Sequence, residues 1–249
     1  MSQKQTEVVG LCRCCRETKR LRLGHIISSL AYRRLKRFPG QNRLVAGGAA
    51  IVQDGPKRHL LCDECEQRLG RSERLFNDRF LTPYYKATRF QAEYGDWLAR
   101  FAAANLWRIL ITLLEDNEVP VPLLTPATAA ESGWRAFIRG EALDCTPHNL
   151  HLVLIDNRPE WAAYAEGVIE YGLPAISSGE VAYLVAKLPG LAMIGVLSEQ
   201  DGRYWRQTQI KPSGGMIDAA VDCYWPELMS GYFQRQIAAA NESTKVEWR

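Results

Sequence analysis

The chain has 249 residues, 47% of them hydrophobic and 24% charged, a globular composition with length for one large or two ordinary folded units. No apolar run approaches the roughly 20 residues of a membrane span, and the opening MSQKQTEVVG lacks the apolar stretch and cleavage site of a secretory signal. These features predict a cytoplasmic protein without a membrane segment, in which clustered cysteines serve as free thiols or metal ligands rather than disulfides. The net charge of +3 conceals an asymmetry: residues 1–90 hold 19 Lys and Arg against 8 Asp and Glu, the remainder 12 against 20. Such a basic segment is the electrostatic footprint of a nucleic-acid binder. The competing explanation is a basic face that docks on the acidic remainder of the same chain.

In chain order, residues 7–24 predict a short hairpin, with Leu21-Arg22-Leu23 alternating as a strand does. Within it lies the first of two C-x-x-C pairs, Cys12/Cys15. The second, Cys62/Cys65, follows after 46 intervening residues. Each pair sets two thiolates at the reach of two corners of a tetrahedral metal, about 2.3 Å from each sulfur, and two pairs close a four-sulfur site of structural zinc. Cys14, Cys145 and Cys223 stay outside this frame.

Residues 28–37 predict a helix capped by serine, with Leu30 and Leu35 on its apolar side and Arg33, Arg34, Lys36 and Arg37 on the other. The glycine-rich stretch 40–58 predicts a loop with a short strand at Ala49–Gln53, and a helix is expected from Glu66 to about Phe80. A knuckle, a strand, an intervening segment and then cysteines at a helix start make a treble clef, with the helix N-terminus facing the metal. Residues 84–116 carry an apolar stripe at helical spacing that includes Tyr94, Trp97, Phe101 and Leu110. Residues 119–130 hold three prolines and predict a linker. Beyond it, strands are expected at Asn149–Ile155, Val181–Lys187, Ala192–Leu197 and Gly202–Ile210, and a closing helix from Trp225 to about Asn241. His148 and His151 are expected on opposite faces of their strand, unable to share a metal. The whole predicts an α+β protein: a zinc-bound treble clef over 1–80, a helical segment over 81–118, the linker, and an α+β domain with a mainly antiparallel sheet over 131–249.

Gly24-His25-Ile26-Ile27 and Leu61-Cys62-Asp63-Glu64-Cys65-Glu66 together resemble two elements of the HNH (ββα-metal) nucleases that carry a structural zinc. The resemblance covers residues 12 to about 76. It implies that His25 is the general base that activates water against a phosphodiester, and that a divalent ion, Mg²⁺ or Mn²⁺, stabilises the leaving oxygen. Gly24 stands where a metal-binding Asp or His is usual, and Glu66 where a metal-ligating His is expected. The family's asparagine is absent before the second cysteine pair. A carboxylate at Glu66 can take a hard divalent ion, with Glu73 as a helper.

Three functions are then open. The first is a zinc-stabilised, HNH-like nucleic-acid-binding protein, DNA being expected more than RNA, with endonuclease activity if His25 and Glu66 form an intact site. The second is a non-catalytic zinc adaptor that docks a protein partner, and the acidic C-terminal half is itself a candidate partner surface. The third is a bacterial phage-defence or conflict-system component, an analogy from where such modules occur.

Overall fold

The computed structural model describes residues 7–37, 44–46, 50–52, 55–87, 90–155, 169–173, 181–199 and 208–218. It is an α+β protein with mainly antiparallel sheets. The expected helix at 225–241, the expected strand's residues 202–207, and Cys223 lie outside these residues.

The hairpin forms as expected from β1 (Val8–Leu11) and β2 (Thr18–His25), paired antiparallel from Val8↔Leu21 to Leu11↔Thr18. Helix α1 (Ser29–Leu35) follows, its start capped by Ser28 Oγ, which accepts from Leu30 N. Inside the glycine-rich stretch, β3 (Leu44–Ala46) pairs with β4 (Ala50–Val52). Strand β5 (Lys57–Cys62) then joins the hairpin sheet beside β2, with Leu21 opposite Cys62 and His25 opposite Lys57. Helix α2 (Asp63–Phe76) starts directly from β5, extends through a π-helical turn at Asn77–Leu81, and ends as α3 (Thr82–Lys86).

Two local expectations change here. Residues 91–94, expected as helix, form strand β6 (Gln91–Tyr94), which pairs with β11 (Gly215–Asp218). That partner lies more than 120 residues away, so no local periodicity announces it. Residues 124–130, expected in a linker, are the first turns of helix α5 (Leu124–Arg139), with Ala127 and Ala130 fully buried. The prolines at 120 and 122 sit in and before the short 3₁₀ turn Val121–Leu123, at a helix-to-helix corner.

Helix α4 (Asp96–Glu115) is the spine of the core. By length and composition it could cross a membrane, although no uninterrupted apolar run suggests it; Arg100, Asn105 and Arg108 break the pattern, and 89% of its most apolar window is buried inside the chain. It packs with α5 on one sheet, whose strand order is β7 (Leu150–Leu154), β10 (Leu191–Glu199), β9 (Val181–Leu188) and β8 (Glu170–Gly172). The β9–β10 turn falls where Leu188-Pro189-Gly190 predicts it, with Gly190 in the left-handed region at φ 77°.

Gly195 in β10 is the point of closest approach. A Cβ there would lie 2.4 Å from the ring of Trp134, itself fully buried and donating Nε1–H to His148 O at 2.8 Å. Gly195→Ala is therefore expected to overpack this contact and to cost about 1–3 kcal/mol in urea unfolding. A change below about 0.3 kcal/mol, within the spread of neutral substitutions, would show that the helix layer yields. His151 bonds Thr208 Oγ1 through Nδ1 at 3.2 Å, while His148 packs beside Gly133 on α5. Burial holds the His148 pKa below its ordinary value, opposed by the backbone carbonyls of Val196 and Leu197, which favour the protonated ring.

Candidate metal centre

The frame assembles as its spacing demands. The turn between β1 and β2 carries Cys12 and Cys15, and Arg16 takes a left-handed φ of 62° to close it. Arg13 N donates to Leu60 O at 2.9 Å, tying the turn to β5. Cys62 ends β5 and is the N-cap residue of α2, so Cys65 falls in the helix's first turn. The four sulfurs lie within 4.8 Å of one another. Cys15 and Cys62 Sγ are 3.9 Å apart, near the edge of about 3.8 Å that a tetrahedron with 2.3 Å metal–sulfur bonds requires. A disulfide needs about 2.05 Å, so the sulfurs are arranged for an ion and not for each other.

Electrostatics point the same way. Burial opposes ionisation of Cys12, yet backbone N–H groups of Cys15, Cys62 and Cys14 bring its pKa down to about 7; Cys62 N donates to Cys12 Sγ at 3.3 Å. Burial and the neighbouring sulfurs of Cys14 and Cys12 push the Cys65 thiol well up, and burial also raises Cys15. Cys12 is prepared as a thiolate while Cys15 and Cys65 resist ionisation, and a divalent ion would offset that resistance by stabilising the deprotonated sulfurs. The donor set fits a four-coordinate ion of the zinc type. Cys14 stays outside the group, buried, with its thiol raised by burial.

Around the frame, basic residues meet carboxylates. Arg13 pairs with Glu115 at 2.5 Å and Arg16 with Glu131 at 3.6 Å; Arg58 pairs with Asp116. Arg139 Nη1 donates to Cys14 O at 3.2 Å. Lys19 bridges Glu17 and Glu64, and Arg22 pairs with Asp63. The metal turn is thus docked on the C-terminal end of α4 and along α5, so self-docking accounts for part of the basic excess.

The two residues that the family resemblance singles out have definite surroundings. The Glu66 carboxylate accepts from Arg108 Nη2 at 2.9 Å, and Arg108 is 5% exposed on α4. The same carboxylate lies against Gly24, where a Cβ would come within 2.3 Å of Glu66 Oε1. Glycine at 24 is what lets Glu66 reach back over β2. His25 stacks on Tyr32, with ring centroids 5.8 Å apart. Glu73, the expected helper, accepts from Ser28 Oγ at the cap of α1.

Arg33 on α1 and Arg37 just past its end are exposed, and Arg33 Nη1 donates to Ser29 Oγ at 3.1 Å. Arg34 lies 3.9 Å over the Tyr85 ring, and Lys36 is the C-cap residue. Among the described residues no carboxylate pairs with Arg33, Lys36, Arg37 or Lys86. By sequence, Trp107-Arg108 reads as a packing tryptophan with a neighbouring ion pair, its partner unnamed, and Lys86 is not singled out. An arginine next to a tryptophan inside the apolar stripe of α4 was the signal for the first, and nothing local marked the second.

Compared with protein-family models, curated proteins and solved structures, the chain matches none.

Proposed function

We propose that this chain is a treble clef built on structural zinc that binds nucleic acid through the basic surface of α1, its HNH-like elements serving binding rather than cleavage. One observation carries this. Arg13, Arg16, Lys19, Arg22 and Arg58 around the cysteines are matched by carboxylates of the same chain, whereas Arg33, Lys36, Arg37 and Lys86, gathered about α1 and α3, have no carboxylate partner among the described residues, a property they share with Arg68, Arg71, Arg74 and Arg79. Self-docking explains the first set and leaves the second for an external polyanion. DNA is the expected ligand ahead of RNA.

Cleavage is the weaker half of the family resemblance because of Arg108. Its guanidinium already engages the Glu66 carboxylate and adds a positive charge where Mg²⁺ or Mn²⁺ would have to enter. The zinc itself, four-sulfur and closed, offers no open position for water.

The test is fluorescence anisotropy with labelled duplex DNA and RNA from 50 to 200 mM salt. Three or four neutralised phosphates give a log–log slope near −3, so affinity should fall roughly fifty-fold over that range. The same mixtures with Mg²⁺ or Mn²⁺ should leave both nucleic acids intact, and His25→Ala should change neither result. Metal-dependent cleavage abolished by His25→Ala would establish the nuclease instead. No binding even at the lowest salt would favour the adaptor that docks a protein.

A further inference from the structure

A cleft of about 390 Å³ opens between α1 and the segment running from the π-helical turn into α3. Four cations converge on it from two sides: Arg33 and Arg34 from α1 with Arg37 just past its end, and Lys86 from α3. Like charges gathered around a concavity repel one another, and the low-dielectric walls focus their field into it. Asn77 and Thr82 add neutral polar groups, over a floor that includes Leu30 and Leu81. The only acid beside it in sequence, Asp78, accepts from Asn77 Nδ2 at 2.8 Å and does not line the cleft.

The walls are fixed before any ligand arrives. Arg34 is stacked on Tyr85, whose hydroxyl donates to Pro189 O in the β9–β10 turn, and Tyr84 OH donates to Gly190 O at 3.0 Å. Opposite, α1 is pinned to the core, because Asn105 Oδ1 on α4 accepts from Ser28 N at 2.9 Å. A preset cationic cleft loses little entropy on binding.

We propose that this cleft is a phosphate-binding pocket that seats one nucleotide unit. Guanidinium forks match the planar pairs of phosphate oxygens, and the volume falls in the range of small-ligand pockets. Several cations around one small volume suit a phosphate of more than one charge better than single carboxylates. The proposal locates the contact of the nucleic-acid function above and rests on it only for the source of the phosphate. A strand with a 5′-phosphate and a free nucleotide offer the same chemistry.

The experiment titrates the full zinc-bound chain with a 5′-phosphorylated 12-nucleotide single strand and, separately, with a nucleoside 5′-monophosphate. Arg37→Glu and Lys86→Glu change exposed residues on opposite walls, so circular dichroism and zinc content should match the parent. Each reversal should weaken the strand at least tenfold and reduce its salt slope by about 1. Lys86→Arg should retain binding, and Arg20→Glu, an equal reversal on the β1–β2 hairpin, should stay within twofold. If the strand binds but both cleft reversals leave it within twofold, the pocket is overturned and nucleic acid binds elsewhere. If the monophosphate binds in a Lys86-dependent way and the strand does not, the pocket stands and the nucleic-acid function falls. If neither binds, both are overturned.

Discussion

Stripping the metal is expected to unfold the first third of this chain while its centre persists. Structural zinc contributes about 10–16 kcal/mol in small zinc modules, as much as the whole stability of an ordinary domain. Apart from the metal, the sheet β1–β2–β5 is held by Leu21, Leu60 and Leu61 and by partly exposed ion pairs to α4 and α5. Val9, Leu11 and Leu23 are exposed, and the cysteines themselves supply much of its buried side. Helix α4 and the four-stranded sheet hold the bulk of the apolar core, around Trp107, Trp134 and Phe101, and the small sheet joins the rim of that cluster. Hydrogen exchange after chelation should therefore show β1, β2 and β5 losing protection by several orders of magnitude, with α4 and β10 retaining most of theirs. Cys62→Ser should do the same without chelator, whereas Cys14→Ser should keep the metal. The pH dependence has a definite sign. Thiols must lose protons to bind, and burial raises Cys15 and Cys65, so zinc should be lost more readily as pH falls. Equal exchange in all elements after metal removal would contradict the assignment of zinc to the fold.

The second large effect lies between α2 and α4. Arg108 is buried with Glu66 as its carboxylate, and Glu66 is about a quarter exposed on its side chain. Removing one partner of such a pair leaves an uncompensated buried charge, about 3–5 kcal/mol for full burial. Glu66→Gln is expected to fall below that, about 2–3 kcal/mol, because water reaches its carboxylate. Arg108→Met should cost less, since Glu66 can turn to solvent, and adding it to Glu66→Gln should recover most of the loss. Urea unfolding of the two single variants and the double variant measures this cycle. Glu66→Gln within 0.5 kcal/mol of the parent would mean the pair carries no weight and would free Glu66 for a metal role.

What the sequence disclosed follows from how local each signal is. Two C-x-x-C pairs specify their geometry within four residues each, so the convergence of Cys12, Cys15, Cys62 and Cys65 was legible from spacing alone. Strands β7, β9 and β10 and the turn between the last two were legible from β-branched runs and Pro-Gly. The helical pattern around 84–116 was right for α4 and wrong for residues 91–94, because β6 exists only through its pairing with β11. Three prolines suggested a linker over 119–130, but proline at a helix start is as natural as in a loop, and α5 then packs along α4. Glu66 was legible as an anomaly after Cys65. Its partner was not, since Arg108 follows it by 42 residues and meets it only because α2 crosses α4. The basic helix α1 was visible as a charged face; the cleft it shares with Lys86 required the fold.

The most direct test is zinc-edge X-ray absorption on reduced, purified protein, with elemental analysis of the same sample. The account predicts one zinc per chain, surrounded by four sulfurs at about 2.3 Å with no nitrogen or oxygen neighbour. A metal-free folded chain, or a shell containing nitrogen or oxygen ligands, would contradict it.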